Sequence, residues 1–280
     1  MLDGELAEPV SDLLHRYCKG GVILEATPQA NLVQLRGYLA ITHATQETQR
    51  KIEEGLWYLS RIQPIPDPIY EAVEDKDWSE AWKKHYQPIQ VGQRLLVLPA
   101  WMSSPHPERI AISLDPGMAF GTGTHPTTRL SLEAIERHLQ PGFNVLDMGT
   151  GSGILAIAAA KLGAKYVLGL DTDPVAVQTA SANASHNKVE SMVAIGQGSL
   201  EACPSQPKFD LIVANILSKI LLELLDEGLT KLVPNGGYLV LSGILDRQAA
   251  SVGDSCQDRG LDLVDELALE DWRALVFRRK

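Results

Sequence analysis

The second half of the chain alternates short apolar runs with helical segments, and this alternation constrains the fold more than any other feature. The apolar runs predict strands at residues 145–148, 166–170, 192–195, 209–214 and 238–241. The segments between them predict helices at 154–162, 174–183 and 216–232, and a hairpin at 261–269 and 275–278 closes the chain. Strands that alternate with helices form a mainly parallel sheet covered on both faces. The sequence therefore predicts an α/β domain.

A glycine-rich turn follows the first of these strands and reads Asp147-Met-Gly-Thr-Gly-Ser-Gly153. Glycine at every second position lets the backbone turn tightly against a ligand. A dinucleotide-binding turn has its third glycine one residue later and takes a pyrophosphate on the helix N-terminus. Here a carboxylate stands at the turn, which disfavours phosphate and suits a cofactor with positive charge. We predict a cofactor site that includes Asp147, Gly149 and Gly151.

Two other polar residues follow predicted strands, where open α/β sheets bind their ligands. Asp171 ends the second strand, 22 residues after Gly149, and its carboxylate can accept both hydroxyls of a ribose. Asn215 ends the fourth strand as the candidate catalytic residue, although it could instead cap a helix starting at Ile216. Asp173 is predicted to cap the helix that starts at Pro174. A ribose and a cationic centre without phosphate together describe S-adenosylmethionine.

The loop before this domain, Asp115-Pro-Gly-Met-Ala-Phe-Gly-Thr-Gly-Thr-His-Pro-Thr-Thr128, is rich in glycine and threonine. Glycines allow close approach to a ligand, an aromatic ring offers an apolar face, and hydroxyls bind without charge. We predict that Phe120, Gly121 and Thr122 cover the cofactor and that Thr128 reaches it. His125 has no orienting carboxylate in the sequence, so we interpret it as structural, with Thr127 or Thr128 opening a helix at 129–139.

The first 75 residues follow the order α-β-β-α-β, with helices at 10–19 and 46–62 and strands at 22–26, 32–41 and 69–73. This order is that of a small ferredoxin-like α+β domain without its opening strand. Either the sheet has one strand fewer than usual, or Met1 lies downstream of the true start. We predict a substrate-recognition domain at 1–74 and a catalytic domain at 101–280. The linker at 75–100 carries Trp78 and Trp82 on one face of a short helix, and strands are expected at 91–98 and 110–114.

The charge balance bears on the partner. The net charge is −10, and residues 1–75 alone carry 12 acidic and 6 basic side chains. This acidity argues against direct nucleic-acid binding, which needs a basic face, and favours a basic protein partner. The chain has no long apolar run and no signal-peptide pattern at its start, which predicts a cytoplasmic protein without membrane contact. Cys18, Cys203 and Cys256 are too widely spaced to predict a disulfide framework or a metal site.

These motifs together resemble those of the bacterial ribosomal protein L11 methyltransferases (PrmA type). The resemblance is carried by residues 115–128, 146–159, 169–174 and 213–217 and covers roughly residues 75–280. It implies a class I methyltransferase fold, Rossmann-like with a mostly parallel seven-stranded sheet, and S-adenosylmethionine as methyl donor. The implied acceptors are lysine ε-amino and N-terminal α-amino groups of the large-subunit ribosomal protein L11. By position, Thr128, Gly149, Asp171 and Asn215 match the family's cofactor contacts, and Phe120, Gly121 and Thr122 match its lid.

Other functions stay open at this point. Asn215-Ile-Leu-Ser218 departs from the Asn-Pro-Pro-Tyr sequence of glutamine or adenine amino-group methyltransferases, which disfavours those substrates. An alternative is a class I methyltransferase that acts on another protein or on a small amine. A third hypothesis is a cofactor-binding module without catalysis, whose acidic first part docks a basic partner.

Overall fold

The computed structural model describes residues 2–3, 7–18, 21–26, 32–39, 46–61, 64–71, 88–114, 125–204 and 208–280. The chain divides into two compact units, Met1–Tyr86 and Gln87–Lys280. The second unit therefore begins inside the range 75–100 that the sequence suggested as a linker. Trp78 and Trp82 lie outside the described residues.

The first unit contains a three-stranded antiparallel sheet and two helices. Its elements are β1 (Leu2–Asp3), α1 (Ala7–Tyr17), β2 (Val22–Ala26), β3 (Leu32–Gly37) and α2 (Gln46–Ser60). The sheet order is β1-β3-β2, with β3 antiparallel to both neighbours, as in a split βαβ unit.

The expectation of a missing opening strand is wrong, because β1 pairs with β3 through Leu2 and Val33. Two residues are too few to produce an alternating pattern, so this strand could not be predicted from the sequence. The strand expected at 69–73 is absent from residues 64–71, and residues 72 and 73 lie outside the described part of the chain. The ferredoxin-like assignment thus stays a prediction.

The second unit begins with a small sheet of β4 (Ile89–Val91), β5 (Leu95–Pro99) and β6 (Ile110–Leu114). β5 lies between the other two strands, antiparallel to β4 and parallel to β6. The single strand expected at 91–98 is divided by a turn at Gly92, whose φ of +52° suits glycine. β6 has the predicted bounds, and it leads into the glycine- and threonine-rich loop.

The large sheet of the second unit has seven strands. They are β7 (Asn144–Met148), β8 (Tyr166–Asp171), β9 (Val193–Gln197), β10 (Leu211–Asn215), β11 (Tyr238–Leu245), β12 (Leu261–Leu269) and β13 (Trp272–Arg279). Their order is β12-β13-β11-β10-β7-β8-β9. β7 to β11 are parallel, whereas β13 runs antiparallel to β11 and to β12. This arrangement confirms the mostly parallel seven-stranded sheet and its closing hairpin.

Helices accompany the large sheet, and the core lies on both of its faces. The helices are α3 (Pro126–His138), α4 (Ile154–Lys161), α5 (Pro174–His186), α6 (Ser218–Glu227) and α7 (Asp246–Gln257). Successive strand residues point to opposite faces, so Val145 joins one buried cluster and Leu146 the other. Val213 and Ile212 divide in the same way. Strands buried on both faces explain the continuous apolar runs of the sequence.

Candidate functional site

The carboxyl ends of the parallel strands bring the polar residues to one edge of the sheet. Met148 is level with Leu170 on β8 and with Ala214 on β10. One residue further along, Asp171 pairs with Gln197, and Asn215 pairs with Ser242. From β7 the chain first builds β8 and β9 on one side and then returns to add β10 on the other. The topological switch point, where such sheets bind ligands, therefore lies between β7 and β10.

The glycine turn occupies this switch point. Gly149, Gly151 and Gly153 have φ values of +73°, +55° and +80°, which side-chain-bearing residues rarely adopt. The N–H groups of Gly149 and Thr150 both donate to the Leu170 carbonyl, at 2.8 and 2.9 Å. A Cβ on Gly149 would lie 2.5 Å from Cγ2 of Ile216. The turn thus needs glycine for its conformation and, at Gly149, for the close approach of the chain after β10.

Asp147 lies inside the turn rather than on its surface. Its side chain is fully buried, and Oδ2 accepts hydrogen bonds from Oγ1 of Thr150 at 2.6 Å and from the Ala156 N–H at 3.1 Å. Oδ1 is buried without a hydrogen-bond partner in the described part of the chain. Burial raises the pKa of this carboxyl to about 6, with a smaller contribution from Asp171 and opposition from the two hydrogen bonds. Asp147 therefore links the turn to the start of α4.

Asp171 ends β8 with a partly exposed carboxylate. Its Oδ2 accepts the Gly151 N–H at 2.8 Å, and its Oδ1 accepts the Asp173 N–H at 3.0 Å. A carboxylate oxygen has a second lone pair, so both oxygens can still accept a ligand hydroxyl. Asp173 caps α5 by accepting the Val175 N–H at 2.8 Å, as predicted.

Asn215 ends β10 and contacts α3. Its Nδ2 donates to Oγ1 of Thr128 at 3.4 Å, so two predicted site residues 87 positions apart are neighbours. The alternative role as a helix cap is excluded, because α6 begins at Ser218 and its cap residue is Leu217. The Asn215 amide is therefore available at the edge of the sheet next to the glycine turn.

Gly243 supports this arrangement, and it was not among the predicted site residues. It lies in β11 with a φ of +82°, and a Cβ there would be 2.2 Å from the Ile216 carbonyl oxygen. The pairing between β11 and β13 is irregular between Leu241 and Ile244. A glycine inside an apolar strand is a known signal of close backbone approach, and it could have identified this position.

His125 has the structural role that the sequence suggested. It is the N-cap of α3, where Nδ1 accepts the Thr127 N–H at 3.3 Å, and its ring lies edge-on to Trp272 with centroids 4.9 Å apart. The helix expected to open at Thr127 or Thr128 instead begins at Pro126, because proline is favoured in the first helical position. Thr127 and Thr128 consequently lie in the first turn of α3 and are buried.

The structure adds the loop after β9 to the site and leaves the predicted lid untested. The Gly198 N–H donates to the Asp171 carbonyl at 2.9 Å, which brings the start of this loop against the end of β8. The following residue, Ser199, has its Oγ 4.0 Å from Sδ of Met148. Open α/β sheets bind ligands at the carboxyl ends of their strands. Applying this rule to the predicted strand at 192–195 would have identified the loop that contains Ser199. Phe120, Gly121 and Thr122 lie outside the described residues.

The chemistry of the edge suits a cationic, ribose-containing ligand. It offers a partly exposed carboxylate, an amide and backbone groups, and a second buried carboxylate lies within the turn. The N-terminus of α4 is not open to a phosphate group, because the Ala156 N–H in its first turn already donates to Oδ2 of Asp147. Across the described residues no cluster of His, Cys, Asp and Glu could hold a metal ion, and none of the described helices could cross a membrane.

Comparison with known proteins bears on the family of this chain. The family model of the ribosomal protein L11 methyltransferase (PrmA) matches residues 7–280. A relative from Chloroflexus aurantiacus named ribosomal protein L11 methyltransferase is 40% identical over 315 residues, covering 99% of this chain and 96% of that protein. A protein of the same name from Bacillus cereus strain B4264 is 44% identical over 300 residues, covering 98% of this chain and 96% of the relative.

A solved structure supports the same relationship. The crystal structure of the ribosomal protein L11 methylase from Lactobacillus delbrueckii subsp. bulgaricus aligns with a TM-score of 0.64 and 37% identity. The alignment covers 70% of this chain and all of that one. The chain therefore belongs to the ribosomal protein L11 methyltransferase (PrmA) family, as the glycine turn and the threonine-rich loop had suggested.

Proposed function

We propose that this protein transfers methyl groups from S-adenosylmethionine to lysine ε-amino groups and the N-terminal α-amino group of ribosomal protein L11. The observation that carries the proposal is the meeting of the glycine turn, Asp171 and the Asn215–Thr128 pair at one edge of the sheet in a member of this family. The proposal includes a cytoplasmic location and a basic ribosomal protein, rather than nucleic acid, as the partner.

The residues at the edge have distinct roles toward the cofactor. S-adenosylmethionine supplies an electrophilic methyl group on a sulfonium sulfur. Asp171 would accept the ribose hydroxyls, because its oxygens keep free lone pairs beyond their two backbone hydrogen bonds. Gly149 and Gly151 let the backbone pass close to the cofactor, while Asp147 fixes the turn from within. Thr128 borders the site from α3.

Three residues of the loop before α3 complete this proposed cofactor site. Phe120, Gly121 and Thr122 are assigned to cover the cofactor by their match to the family's lid. Their residue types suit this role, since the ring can exclude water and the glycine permits close approach.

Asn215 is the proposed catalytic residue, and it acts by orientation. An amine attacks only when it is neutral, and the reference pKa is about 10.4 for lysine and about 8 for an α-amino group. An amide cannot take up a proton, so Asn215 serves as a hydrogen-bond partner for the incoming amine. Its amide is held by Oγ1 of Thr128 at 3.4 Å. Positioning and exclusion of water then supply the rate enhancement without a general base.

The first unit is the proposed substrate-recognition domain, assigned to residues 1–74, with 101–280 as the catalytic domain. α2 supports this role, because Glu53, Glu54, Trp57 and Tyr58 are all exposed on it. With the segment around Asp67 they line a groove of about 700 Å³. Arg50 also lines this groove and pairs with Glu54, and Arg61 lies over the Trp57 ring. Glu53, Asp67 and Tyr58 are therefore the groups proposed to meet lysine and arginine side chains of a basic protein.

The test combines the purified protein, S-adenosylmethionine and unmethylated L11, followed by intact-mass measurement of L11. We expect the mass of L11 to rise in multiples of one methyl group. With the cofactor at saturating concentration, an Asn215→Ala variant should transfer methyl groups at least roughly a hundredfold more slowly, as loss of an orienting contact does. Mapping of the methylated peptides identifies which amines react.

Two alternatives are decided by repeating the assay with ribosomal fractions and with free small amines as acceptors. Methylation of another protein or of free small amines, with none on L11, would establish a different amine methyltransferase. Cofactor binding without turnover on any ribosomal fraction would establish a binding module. Either result overturns the proposal.

A further inference from the structure

Two buried asparagines lie one turn apart, Asn183 in the last turn of α5 and Asn187 as the C-cap residue of this helix. Asn183 is 4% exposed and Asn187 is 8% exposed, among the alanines through which this helix packs. Burial of a side-chain amide is unfavourable unless its polar atoms form hydrogen bonds. Apolar residues would pack here at lower cost, so the hydrogen bonds made by these amides are the feature to explain.

Asn183 binds the glycine turn from behind. Its Nδ2 donates to the Ser152 carbonyl at 2.8 Å. Ser152 stands between Gly151 and Gly153, whose positive φ values are conformations that glycine adopts without steric cost. Ala180 of the same helix packs against Gly153, since a Cβ on Gly153 would lie 3.1 Å from Cβ of Ala180. α5 therefore packs directly on the turn, and the Asn183 amide fixes the direction of one of its carbonyl groups.

The neighbouring asparagine fixes the helix that carries Asn183. Oδ1 of Asn187 accepts the Ser113 N–H at 3.0 Å, and its Nδ2 donates to the Ser113 carbonyl at 2.6 Å. The same Nδ2 donates to the Asn183 carbonyl at 2.9 Å. Asn187 thereby attaches the end of α5 to β6, and Asn183 attaches the helix to the glycine turn.

The hydrogen bond between Asn183 and Ser152 affects Asp171 through the glycine turn. The Gly151 N–H, one residue before Ser152, donates to Oδ2 of Asp171 at 2.8 Å. A turn released from Asn183 can rotate at its glycines, and this hydrogen bond would then lengthen or break. We propose that Asn183 is a positioning residue of the cofactor site, which holds Ser152 and so orients Gly151 and the Asp171 carboxylate. The proposal goes beyond the methyl-transfer reaction, because it concerns how the cofactor site is held in shape.

The test uses two substitutions and a matched control on the same helix. Asn183→Asp keeps the shape of the side chain but has no N–H for the Ser152 carbonyl, and Asn183→Ser removes the amide without adding charge. Thr179→Val is the control: Thr179 donates to the Val175 carbonyl at 2.8 Å within α5, and valine has a similar shape. Thermal midpoints of all variants fix a common assay temperature at which each is folded.

The readouts are the dissociation constant for S-adenosylmethionine by calorimetry and the separate values of kcat and of KM for cofactor and for the protein substrate. We expect both Asn183 variants to weaken cofactor binding roughly tenfold or more, the effect of one lost hydrogen bond to a buried group. KM for the protein substrate and kcat should change less than about threefold, and Thr179→Val should leave cofactor binding unchanged.

A merely structural role gives a different pattern. Cofactor binding within twofold of the unmodified protein in both Asn183 variants would overturn the proposal. An equal loss of binding in Thr179→Val would also overturn it, as would parallel losses in kcat and in both KM values.

Discussion

Replacement of Asp147 by asparagine should change how stability depends on pH, and the size of the change follows from the buried position of this carboxyl. Burial raises its pKa from 3.8 to about 6. Asparagine has the same shape, and its Oδ1 can accept the hydrogen bonds from Thr150 and Ala156 that Oδ2 accepts now. The substitution removes the titration, and the NH2 group that takes the place of Oδ1 adds a destabilisation that does not depend on pH.

The sign follows from the direction of the pKa change. The folded protein keeps the proton up to about pH 6, whereas the unfolded chain loses it near pH 3.8. The contribution of Asp147 to stability is therefore complete below pH 3.8 and is lost as the pH rises through about 6. The full difference is about 3 kcal/mol, at about 1.4 kcal/mol per tenfold change in the ionisation constant. Of this, about 2 kcal/mol falls between pH 4.5 and pH 7.5.

The assay is urea unfolding of the full chain without cofactor at several pH values across that range. Hydrogen exchange of peptides from β7 and β10, read by mass spectrometry, reports the second unit separately from the first. The unfolding free energy of Asp147→Asn, minus that of the unmodified protein, should rise by about 2 kcal/mol from pH 4.5 to pH 7.5.

The matched control is Asp173→Asn, which removes a charge from an exposed N-cap that asparagine fills equally well. The pH response of Asp147→Asn is taken relative to this control. A difference that stays constant to within about 0.5 kcal/mol, or one that falls as the pH rises, would refute the argument that burial dominates the ionisation of Asp147.

Three further substitutions test the site and its supports. Asp171→Ala should weaken binding of S-adenosylmethionine roughly tenfold or more, measured by calorimetry. The thermal midpoint should change little, since the carboxylate is partly exposed. Unchanged affinity would contradict the role of Asp171 in binding the ribose. Gly243→Ala should destabilise the second unit by about 2 kcal/mol or more through its φ and the contact with Ile216, measured by urea unfolding, and a neutral effect would contradict this packing. His125→Ala should cost about 1 kcal/mol through the lost cap of α3, and a loss of methyl transfer at full stability would instead show a direct role in the reaction.

The fold of the second unit was largely readable from the sequence, because its strands are buried on both faces and its helices separate them. The predicted strands at 166–170 and 209–214 correspond to β8 (Tyr166–Asp171) and β10 (Leu211–Asn215) with small shifts at the ends. The boundaries that differed have local causes. Gly92 turns the chain within a single apolar run, and Pro126 starts α3 earlier than the threonines suggested. The first unit was harder to read because β1 is two residues long and owes its existence to its pairing with β3.

What the sequence by itself determined is the local chemistry: the glycine turn, the carboxylate of Asp171, the amide of Asn215 and the family to which they belong. What only the tertiary structure decided is how these groups meet. The order of the strands brings Asn215 to Thr128, and burial puts Asp147 inside the turn with a raised pKa. Asn183 gave no signal in the sequence, since its partner Ser152 is 31 residues away and the contact needs α5 packed on the turn. Residue types are fixed locally, whereas distance, burial and hydrogen-bond partners depend on how strands pair across the chain.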